Sequence, residues 1–525
     1  MSPTSSQLFS ENALLREELT GLNLQISMRD ERLTLYEEEV SRLNEILRDF
    51  KRQRFGTKSE RWESTEQLVF NEAEVLAANA KPEEDSDNDD TEIEVGAHKK
   101  KRGHRKPLPE GLEREIVVVE LAESERLGED GKPLKPIGKE ISEKLHFEPA
   151  QMKVIETHRI RYGADAGDSG VIAPPAPSII PKGIVTPGLL AHIVMQKYGY
   201  GMPFYRMEDM FKRMGVEIPR CTQARWVIQA AEACWAIKNV LVDRLMSAPY
   251  VSCDETWTQV LKEKGRTAES KSWMWVRCTP SEIKKIVLFD YDPHRSAEVA
   301  NRLFADYRGT LQVDGYASYN DLEDQDGVTR LGCNMHGRRK FEASVKIGAQ
   351  QGQSIGEEAL RFYKRLYAIE EKARPLSWDQ RHALRLKEAQ PIWFEFKSWA
   401  DVHSKKVPPK SKIGQAFHYF LNEYDYLIGY LKHGMFEMDN GFAERAITSF
   451  AIGRKNWLFA DSEAGADAAS FFYSIVVTAK INGNDPYVVL KTIFEQIPLA
   501  KTAEDIERLA DIILTRPAPL NKAAL

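Results

Sequence analysis

The most informative segment of this chain is Pro249-Tyr250-Val251-Ser252-Cys253-Asp254-Glu255-Thr256-Trp257, a short and largely apolar run that carries a carboxylate towards its end. Its β-branched and aromatic residues predict a strand. An aspartate on a core strand is costly to bury unless it is paired or binds a metal. Asp254 is therefore expected to have either a structural partner or a catalytic function.

The residues after this strand predict an antiparallel meander. Two runs rich in β-branched and aromatic residues, Lys271–Thr279 and Lys284–Asp290, are separated by the turn-like Pro280-Ser281-Glu282. A helix is predicted at Ser296–Tyr307 from the spacing of its apolar residues. Thr310–Val313 then completes the series as a fourth strand.

This order of three strands, a helix and a fourth strand is ribonuclease H-like, and in it the first and fourth strands are neighbours. Asp254 lies on the first strand, and Asp314 directly follows the fourth. We therefore expect their carboxylates to lie close enough to share a divalent metal, for which oxygen ligands are suited.

Length and composition indicate a multidomain globular protein. The 525 residues are too many for a single core, and 42% of them are hydrophobic. The net charge of -6 does not exclude a nucleic-acid partner, because the eight acidic residues within 83–94 account for more than all of it. Five cysteines without a C-x-x-C pair fit a reducing cytosol. The sequence shows no signal peptide and no apolar run of membrane-spanning length, so a cytoplasmic protein without a membrane partner is expected.

Residues 8–50 carry an apolar heptad seam that predicts a coiled coil. Apolar residues recur at alternating steps of four and three, among them Leu19, Leu33 and Val40. Asn12 occupies a core position of the same seam, where a buried amide favours two strands. A single amphipathic helix on a globular core is the alternative, but it would need a wider apolar stripe.

Two basic clusters lie on either side of an acidic stretch, and the region 63–111 is predicted to be a disordered acidic and basic linker. Both clusters are candidates for contact with a phosphate backbone, with a solvated helix face or tail as the alternative. The residues concerned are Arg52, Arg54, Lys58, Lys100, Lys101, Arg102 and Arg105.

Residues 112–182 predict a small β-rich module with strands near Glu115–Leu121 and Met152–Tyr162. The following region, 183–248, predicts helices with a helix-turn-helix outline. In that arrangement the helix beginning near Thr222 would read DNA through Gln223 and Arg225. An ordinary helix pair is the alternative, since helices joined by a glycine turn are commoner than DNA-binding ones.

Past Asp314, a Cys-x-x-His pair formed by Cys333 and His336 precedes a predicted basic helix. Such a pair can supply two zinc ligands. The sequence offers no second pair at a suitable spacing, so we prefer a helix-capping or structural role.

From Phe341 to about Leu431 the pattern is helical without a convincing strand, which predicts an all-α insertion. Glu444 follows at the start of a helix and is the natural third carboxylate beside the two strand aspartates. The alternative is a solvated glutamate that the helix dipole stabilises.

The chain shares a series of motifs with a known family, in matching order and spacing. They are Asp254-Glu255-Thr256, Val313-Asp314-Gly315-Tyr316, Cys333-x-x-His336, Ala443-Glu444-Arg445 and Gly453-Arg454-Lys455-Asn456-Trp457. Together they resemble the large transposase of the insertion-sequence 66 family, and the resemblance runs along nearly the whole chain.

The resemblance implies a DDE transposase that cleaves DNA at element ends and joins the 3′-hydroxyl to target DNA. Asp254, Asp314 and Glu444 would be its catalytic acids and would hold Mg²⁺ or Mn²⁺. The partners would be element-end and target DNA, other copies of the chain through the coiled coil, and accessory proteins, in the bacterial cytosol and nucleoid. Further DNA contacts would come from Arg338, Arg339, Lys340, Arg445, Arg454 and Lys455.

One departure from the family concerns the module at 112–182, where relatives carry zinc-binding cysteine pairs. This chain has Glu123-Ser124-Glu125-Arg126 and Ala164-Asp165-Ala166-Gly167-Asp168 in their places, and no cysteine in the module. We therefore expect no structural zinc, and packing must hold the module together.

Two other functions stay open at this stage. The chain could be a catalytically silent or repurposed DNA-binding relative, which the presence of all three acids disfavours. It could also be a non-transposing ribonuclease H-like nuclease, which the coiled coil and the long insertion disfavour because they suit a multimeric synapse.

The predicted fold is thus multidomain α+β, with a ribonuclease H-like catalytic core interrupted by an all-α insertion. The predicted regions are a coiled coil and basic helix at 1–62, the linker at 63–111, the β-rich module at 112–182, the helix-turn-helix-like region at 183–248, the first part of the core at 249–345, the insertion at 346–433, the second part of the core with Glu444 at 434–490, and a C-terminal helical tail at 491–525.

We expect a peptide of residues 8–50 to self-associate, because association buries its apolar seam. Replacing Leu22 and Leu43 together with glutamate puts charge at two core positions and should dissociate it. Glutamate at Thr20 and Ser41, outside the seam, is the matched control and should leave association intact. Analytical ultracentrifugation decides, and an unsubstituted peptide that is monomeric at micromolar concentration contradicts the prediction.

Overall fold

The computed structural model describes residues 19–23, 27–30, 36, 39–40, 152–158, 161–162, 171–172, 175–281, 284–345 and 354–515. Several predictions lie outside these residues, namely the linker at 63–111, the strand near Glu115–Leu121, and the cluster Arg52, Arg54, Lys58, Lys100, Lys101, Arg102 and Arg105. Within the described parts of the chain, no helix has both the length and the apolar character needed to cross a membrane.

The described pieces of the N-terminal region, between residues 19 and 40, are helical. Four apolar residues of the predicted seam fall within them, and their side chains are more than half exposed in the single chain: Leu19, Leu22, Tyr36 and Val40. An exposed apolar seam on a helix needs a partner surface, so these pieces are compatible with the predicted association.

Within the region of the small module the structure describes a two-stranded ribbon, in which β1 (Arg161–Tyr162) pairs antiparallel with β2 (Val171–Ile172). Residues 152–158 are not in a strand. The strand predicted near Met152–Tyr162 therefore begins too early in the chain. Val154 and Ile155 are exposed there. Their apolar character alone predicted a strand, but a strand also needs a pairing partner.

The central element is a six-stranded mixed sheet with the order β5-β4-β3-β6-β7, to which β8 adds by pairing with β3. Its strands are β3 (Tyr250–Lys262), β4 (Lys271–Cys278), β5 (Val287–Asp292), β6 (Gly309–Gln312), β7 (Val328–Leu331) and β8 (Ala460–Ser462).

The strand that holds the sheet together is β3. It pairs antiparallel with β4 and parallel with β6, where Ser252 lies opposite Gln312. The prediction that the first and fourth strands are neighbours is confirmed. The strand also runs further than predicted, because Val260 pairs with Ala460 of β8. The sequence did not predict β8, because its three residues show no alternation of apolar and polar side chains.

Helices make up most of the remaining described chain. Their bounds are α1 Pro187–Val194, α2 Phe204–Arg213, α3 Arg220–Met246, α4 Ala297–Leu303, α5 Asn334–Val345, α6 Ile355–Ala373, α7 Trp378–Leu384, α8 Gln390–His403, α9 Lys412–Asn422, α10 Tyr424–Leu427, α11 Gly441–Trp457, α12 Glu463–Ile481, α13 Pro486–Gln496 and α14 Ala503–Leu514. Single π-helical turns at Met195–Gly199 and Arg385–Ala389 extend α1 and α7, and short 3₁₀ segments occur at Ala317–Asp324, Ser404–Lys406, Gly429–Lys432 and Ile497–Leu499.

The edge of the sheet at β5 is closed by α12. The hydroxyl of Ser474 accepts from the Phe289 N–H at 2.8 Å, and that of Thr478 accepts from the Val287 N–H at 3.0 Å. Helix hydroxyls thereby satisfy backbone donors that an edge strand otherwise leaves open. Elsewhere α12 packs among α3, α13 and α14.

The long helix α3 corrects one prediction about DNA recognition. Gln223 is fully buried, and its side-chain N–H donates to the Ile218 carbonyl at 2.9 Å. The prediction that Gln223 faces DNA is therefore wrong, because its side chain closes the turn that precedes α3. Arg225, two residues on, is exposed.

Residues 354–433 contain helices and no strand, as the pattern predicted for this insertion. Their core is aromatic, with Phe362 stacked on Phe396 at a ring separation of 4.6 Å. Phe341 of α5 packs into the same cluster. The helical residues 354–433 therefore pack against the helix that leaves the sheet.

A buried ion cluster ties α3 to the sheet. Asp290 of β5 lies 3.1 Å from the Lys238 ammonium and 2.9 Å from the Arg277 guanidinium. Burial by itself raises the pKa of Asp290, but the two cations outweigh it and lower that pKa to about 2.

Replacing Asp290 with alanine leaves two cations buried without their anion, and this should reduce the free energy of unfolding by about 3–5 kcal/mol. The matched control is Asp461→Ala, which removes the exposed partner of Lys262 and should cost at most about 1 kcal/mol. Thermal and denaturant unfolding measure both. Equal losses in the two variants would refute the structural role of the buried cluster.

Candidate active site

The parallel pairing of β3 and β6 brings Asp254 and Asp314 to the same end of the sheet. Ser252 of β3 lies opposite Gln312 of β6. Side chains alternate between the two faces of a sheet, so the residues two positions further along, Asp254 and Asp314, are directed to the same face as this pair. Asp314 Oδ1 accepts from the Tyr316 N–H at 3.0 Å, which fixes the turn after β6. Both aspartates therefore have a position set by backbone geometry.

Glu444 reaches the same place from α11, whose first turn contains it. The helix is anchored at its start, where the Asn440 side-chain amide donates to the Cys253 carbonyl at 2.6 Å. Near its other end, Arg454 donates to Thr256 at 3.2 Å and stacks on Trp257 with its guanidinium 4.2 Å from the ring centre. Contacts on both sides of Asp254 thus hold α11 against β3.

The electrostatics show that the three acids interact. The pKa of Asp254 lies well above its ordinary value, first because it is buried and then because Glu255, Glu444 and Asp314 are negatively charged neighbours. Like charges in a buried site destabilise one another unless a cation is present. The arrangement therefore favours a positively charged ligand.

The two oxygens of Glu444 have different surroundings. Oε2 accepts from Arg339 Nη2 at 2.5 Å. Oε1 is sealed from solvent, lies 3.7 Å from His336 Nδ1, and has no hydrogen-bond partner among the described residues. A buried acceptor without a partner is costly. This oxygen, together with the strand aspartates, makes a donor set that fits a divalent cation such as Mg²⁺.

A second layer of charge, which sequence reasoning missed, supports Asp314. Arg295 Nε donates to Glu255 Oε1 at 2.5 Å, and its Nη2 lies 3.8 Å from Asp314 Oδ2. Tyr316 stacks under this guanidinium at 3.6 Å, and the Tyr319 hydroxyl donates to the other oxygen of Glu255. Arg295 follows β5 in a loop, where no pattern distinguishes it from a solvated arginine.

Burial and the charge of Asp314 raise the pKa of Glu255, whereas Arg295 lowers it. Glu255 points to the opposite side of β3 from Asp254, as adjacent strand residues do. Its role is to hold Arg295 beside Asp314, so the Asp-Glu pair in the sequence has one member in the acidic cluster and one behind it.

Most predicted basic residues near the site are accessible. Arg338 and Arg339 are partly exposed, and Lys340, Arg445 and Lys455 are exposed. Arg454 is different, because it is buried and donates to the Trp257 carbonyl. The prediction that Arg454 contacts DNA is wrong, since its guanidinium is used to attach α11 to β3.

The Cys-x-x-His pair lies directly at this site. Cys333 is buried, and its sulfur accepts from the Asn440 N–H at 3.2 Å, which fits the structural role preferred from the sequence. Burial lowers the pKa of His336, against the opposing charges of Glu444 and Asp314. The sequence did not reveal that Cys333 and His336 lie close to Glu444. Asn440, which lies just before Glu444 in the chain, is already 107 residues away from Cys333.

The chain is similar to known proteins along much of its length. Residues 182–468 match the model described as transposase IS66 family, residues 42–117 the model described as transposase C of IS166 homeodomain, and residues 474–510 the IS66 C-terminal element. Three similar proteins come from Sinorhizobium fredii (strain NBRC 101917 / NGR234).

The first, uncharacterized protein y4qI, is 30% identical over 489 residues, which cover 90% of this chain and 88% of that protein. Uncharacterized protein y4jD is 31% identical over 411 residues, with 75% and 79% coverage. Uncharacterized protein y4hP is 27% identical over 420 residues, with 77% and 76% coverage.

The Asn440 amide should matter for stability as well as for the position of Glu444. Asn440→Ala leaves the buried Cys253 carbonyl without its donor, which should cost about 1–3 kcal/mol of unfolding free energy. Asn456→Ala is the matched control, because its amide bonds the Gly201 carbonyl at an exposed site. Denaturant unfolding measures the difference, and an Asn440 variant no less stable than the control would contradict the anchoring role.

Proposed function

Because the chain belongs to the IS66 transposase family, we propose that it is a DDE transposase that cuts DNA at insertion-sequence ends and joins the 3′-hydroxyl to target DNA. The observation that carries this proposal is the parallel register of β3 and β6, which aligns Asp254 with Asp314, together with the attachment of the start of α11 to β3, which brings Glu444 to the same place. A transposase acts on DNA, so the family by itself implies a DNA partner.

Asp254, Asp314 and Glu444 would hold Mg²⁺, or Mn²⁺ in its place. Such ions activate an attacking oxygen and stabilise a leaving one in phosphodiester cleavage. The protein contributes the position of the oxygens: Arg295 buttresses Asp314, and Arg339 fixes one oxygen of Glu444 so that the other is left for the site. Water and then a DNA 3′-hydroxyl serve as nucleophiles, so no covalent intermediate on the protein is required.

The catalytic core in this proposal is ribonuclease H-like. The strand order supports it, because three antiparallel strands are followed by a parallel strand next to the first, and the two aspartates lie at that junction. The helical residues 354–433 then separate Asp314 from Glu444 along the chain, and α11 returns the third acid to β3.

DNA would lie along the accessible cations around the acids. Arg338 and Lys340 on α5 and Arg445 and Lys455 on α11 offer charge for phosphate contacts. Arg225 and the N-terminal basic clusters extend this proposal to other parts of the chain. Neutralising one such residue should weaken binding without changing sequence preference.

Self-association belongs to the same proposal, since two DNA ends are handled together in transposition. The exposed seam residues Leu19, Leu22, Tyr36 and Val40 support association through the N-terminal helix. Accessory proteins of the same element could join this assembly.

The test is Mg²⁺-dependent cleavage of a labelled duplex that carries the terminal sequences of the element encoding the chain. Asp254→Asn, Asp314→Asn and Glu444→Gln each remove a charge at nearly constant volume. Each should slow cleavage by at least about 100-fold, the upper end of the cost of losing an outer-shell metal partner. Gel-shift binding should persist in each variant.

Asp326→Asn is the matched control, because it makes the same chemical change at a fully exposed carboxylate, and its cleavage rate should equal that of the unsubstituted protein. An Asp254→Asn variant that cleaves normally would refute the assignment of the acids. An unsubstituted protein that binds the ends but never cleaves, with Mg²⁺ or Mn²⁺, would identify a DNA-binding relative without catalysis.

A further inference from the structure

We propose that Cys333, His336 and Glu444 form a second metal site, selective for a transition metal of the Zn²⁺ class, at the margin of the acidic cluster. One ligand atom from each residue lies within 4.8 Å of the others. Cys333 immediately precedes α5, His336 is in the first turn of α5, and Glu444 is in the first turn of α11. Two rigid helix starts therefore supply all three ligands.

The spacing of these atoms suits a shared ion better than a hydrogen bond. His336 Nδ1 and Glu444 Oε1 are 3.7 Å apart, beyond the roughly 2.7–3.2 Å of an N–H···O bond. Two ligands bound about 2.0–2.2 Å from one tetrahedral zinc lie roughly 3.3–3.6 Å from each other. For the His336 and Glu444 atoms, a displacement of a few tenths of an ångström reaches the spacing of two ligands on one ion.

The two facing atoms also lack other partners. His336 Nδ1 and Glu444 Oε1 are both closed to solvent, and neither has a hydrogen-bond partner in the described parts of the chain. Two unsatisfied polar atoms that face each other inside a protein carry a desolvation cost. A cation between them removes that cost for both at once.

The donor types determine which metal the site prefers. Thiolate and imidazole ligands select zinc and related metals, whereas Mg²⁺ takes oxygen ligands and keeps several waters. Burial raises the pKa of the Cys333 thiol, and the Asn440 N–H that donates to its sulfur offsets part of this, so a bound metal must displace the thiol proton. Three protein ligands leave a fourth position open, as in zinc sites that bind an exchangeable oxygen ligand.

The location gives the site a consequence that rests on the proposed function. Arg339 occupies Oε2 of Glu444, so Oε1 is the oxygen available both to this site and to the acidic triad. Zinc bound to Cys333 and His336 therefore withdraws the third carboxylate from Asp254 and Asp314. Zinc and the catalytic cation should bind antagonistically, which makes the site an inhibitory switch.

The first experiment is titration of the full-length, chelator-stripped protein with Co²⁺. We expect one equivalent to bind with a thiolate-to-cobalt charge-transfer band and the visible spectrum of tetrahedral cobalt, and Zn²⁺ to displace it. Cys333→Ser should abolish the charge-transfer band and weaken Zn²⁺ binding at least about tenfold, since even outer-shell partners are worth that much. Cys221→Ser removes an exposed thiol and should leave the band unchanged.

His336→Gln is the second variant, and it should weaken Co²⁺ binding while Cys333 remains; thermal unfolding verifies that each variant folds. A band that is absent from the unsubstituted protein, or that disappears with Cys221 instead of Cys333, would overturn the proposal.

Antagonism is measured separately by the electron paramagnetic resonance signal of free Mn²⁺. Zinc pre-loading should weaken Mn²⁺ binding at least about tenfold in the unsubstituted protein and have no effect in Cys333→Ser. Mn²⁺ binding that depends on Asp254 without any Co²⁺ band would refute the second site and leave the proposed catalytic site intact. A Co²⁺ band without Mn²⁺ binding would show the reverse.

Discussion

The constraint on which the rest of this structure depends is the crowding of several carboxylates, most of them half-buried, around Asp254 of β3. Desolvation raises the pKa of Asp254 most, and the negative charges of Glu255, Glu444 and Asp314 raise it further. Such a cluster persists only if surrounding groups compensate it. Arg295 does so on one side through Glu255 and Asp314, and Arg339 does so on the other through Glu444. The remaining deficit of positive charge is what a divalent cation would supply.

The helical residues 354–433 serve this cluster by returning the chain to the sheet at a fixed place. Tyr250 at the start of β3 donates to Gln312 of β6 at 2.5 Å and accepts from the Glu437 N–H at 3.2 Å. Gln312 in turn donates to the Glu437 carbonyl at 2.9 Å. The segment before α11 is thus bonded to both strands that carry the aspartates. Asn440 then sets the start of α11, and Glu444 follows one turn later.

The same geometry explains why several polar residues are better understood as supports than as DNA contacts. Gln223 and Arg454, which were candidates for DNA contact, are almost fully buried, and each bonds a backbone carbonyl. The buried Asn440 makes a bond of the same kind. A buried carbonyl needs a donor, and a long polar side chain can provide one across an interface between elements. The accessible cations, by contrast, lie on α5 and α11 around the acids.

The sequence by itself determined the strands β3 to β6, the pairing of the first strand with the fourth, the helical nature of 354–433, and the three acids as candidates, because these depend on local patterns and on chain order. It did not determine β8, the ends of β3, or the burial of Gln223 and Arg454. Nor did it indicate Arg295 or the approach of Cys333 and His336 to Glu444. Except for Gln223, which bonds Ile218 only five positions away, those features join residues that are tens to hundreds of positions apart, and a residue's periodicity says nothing about which distant group it will meet. Tertiary packing alone decided them, since only folding fixes which buried polar atoms find a partner and which are left facing each other.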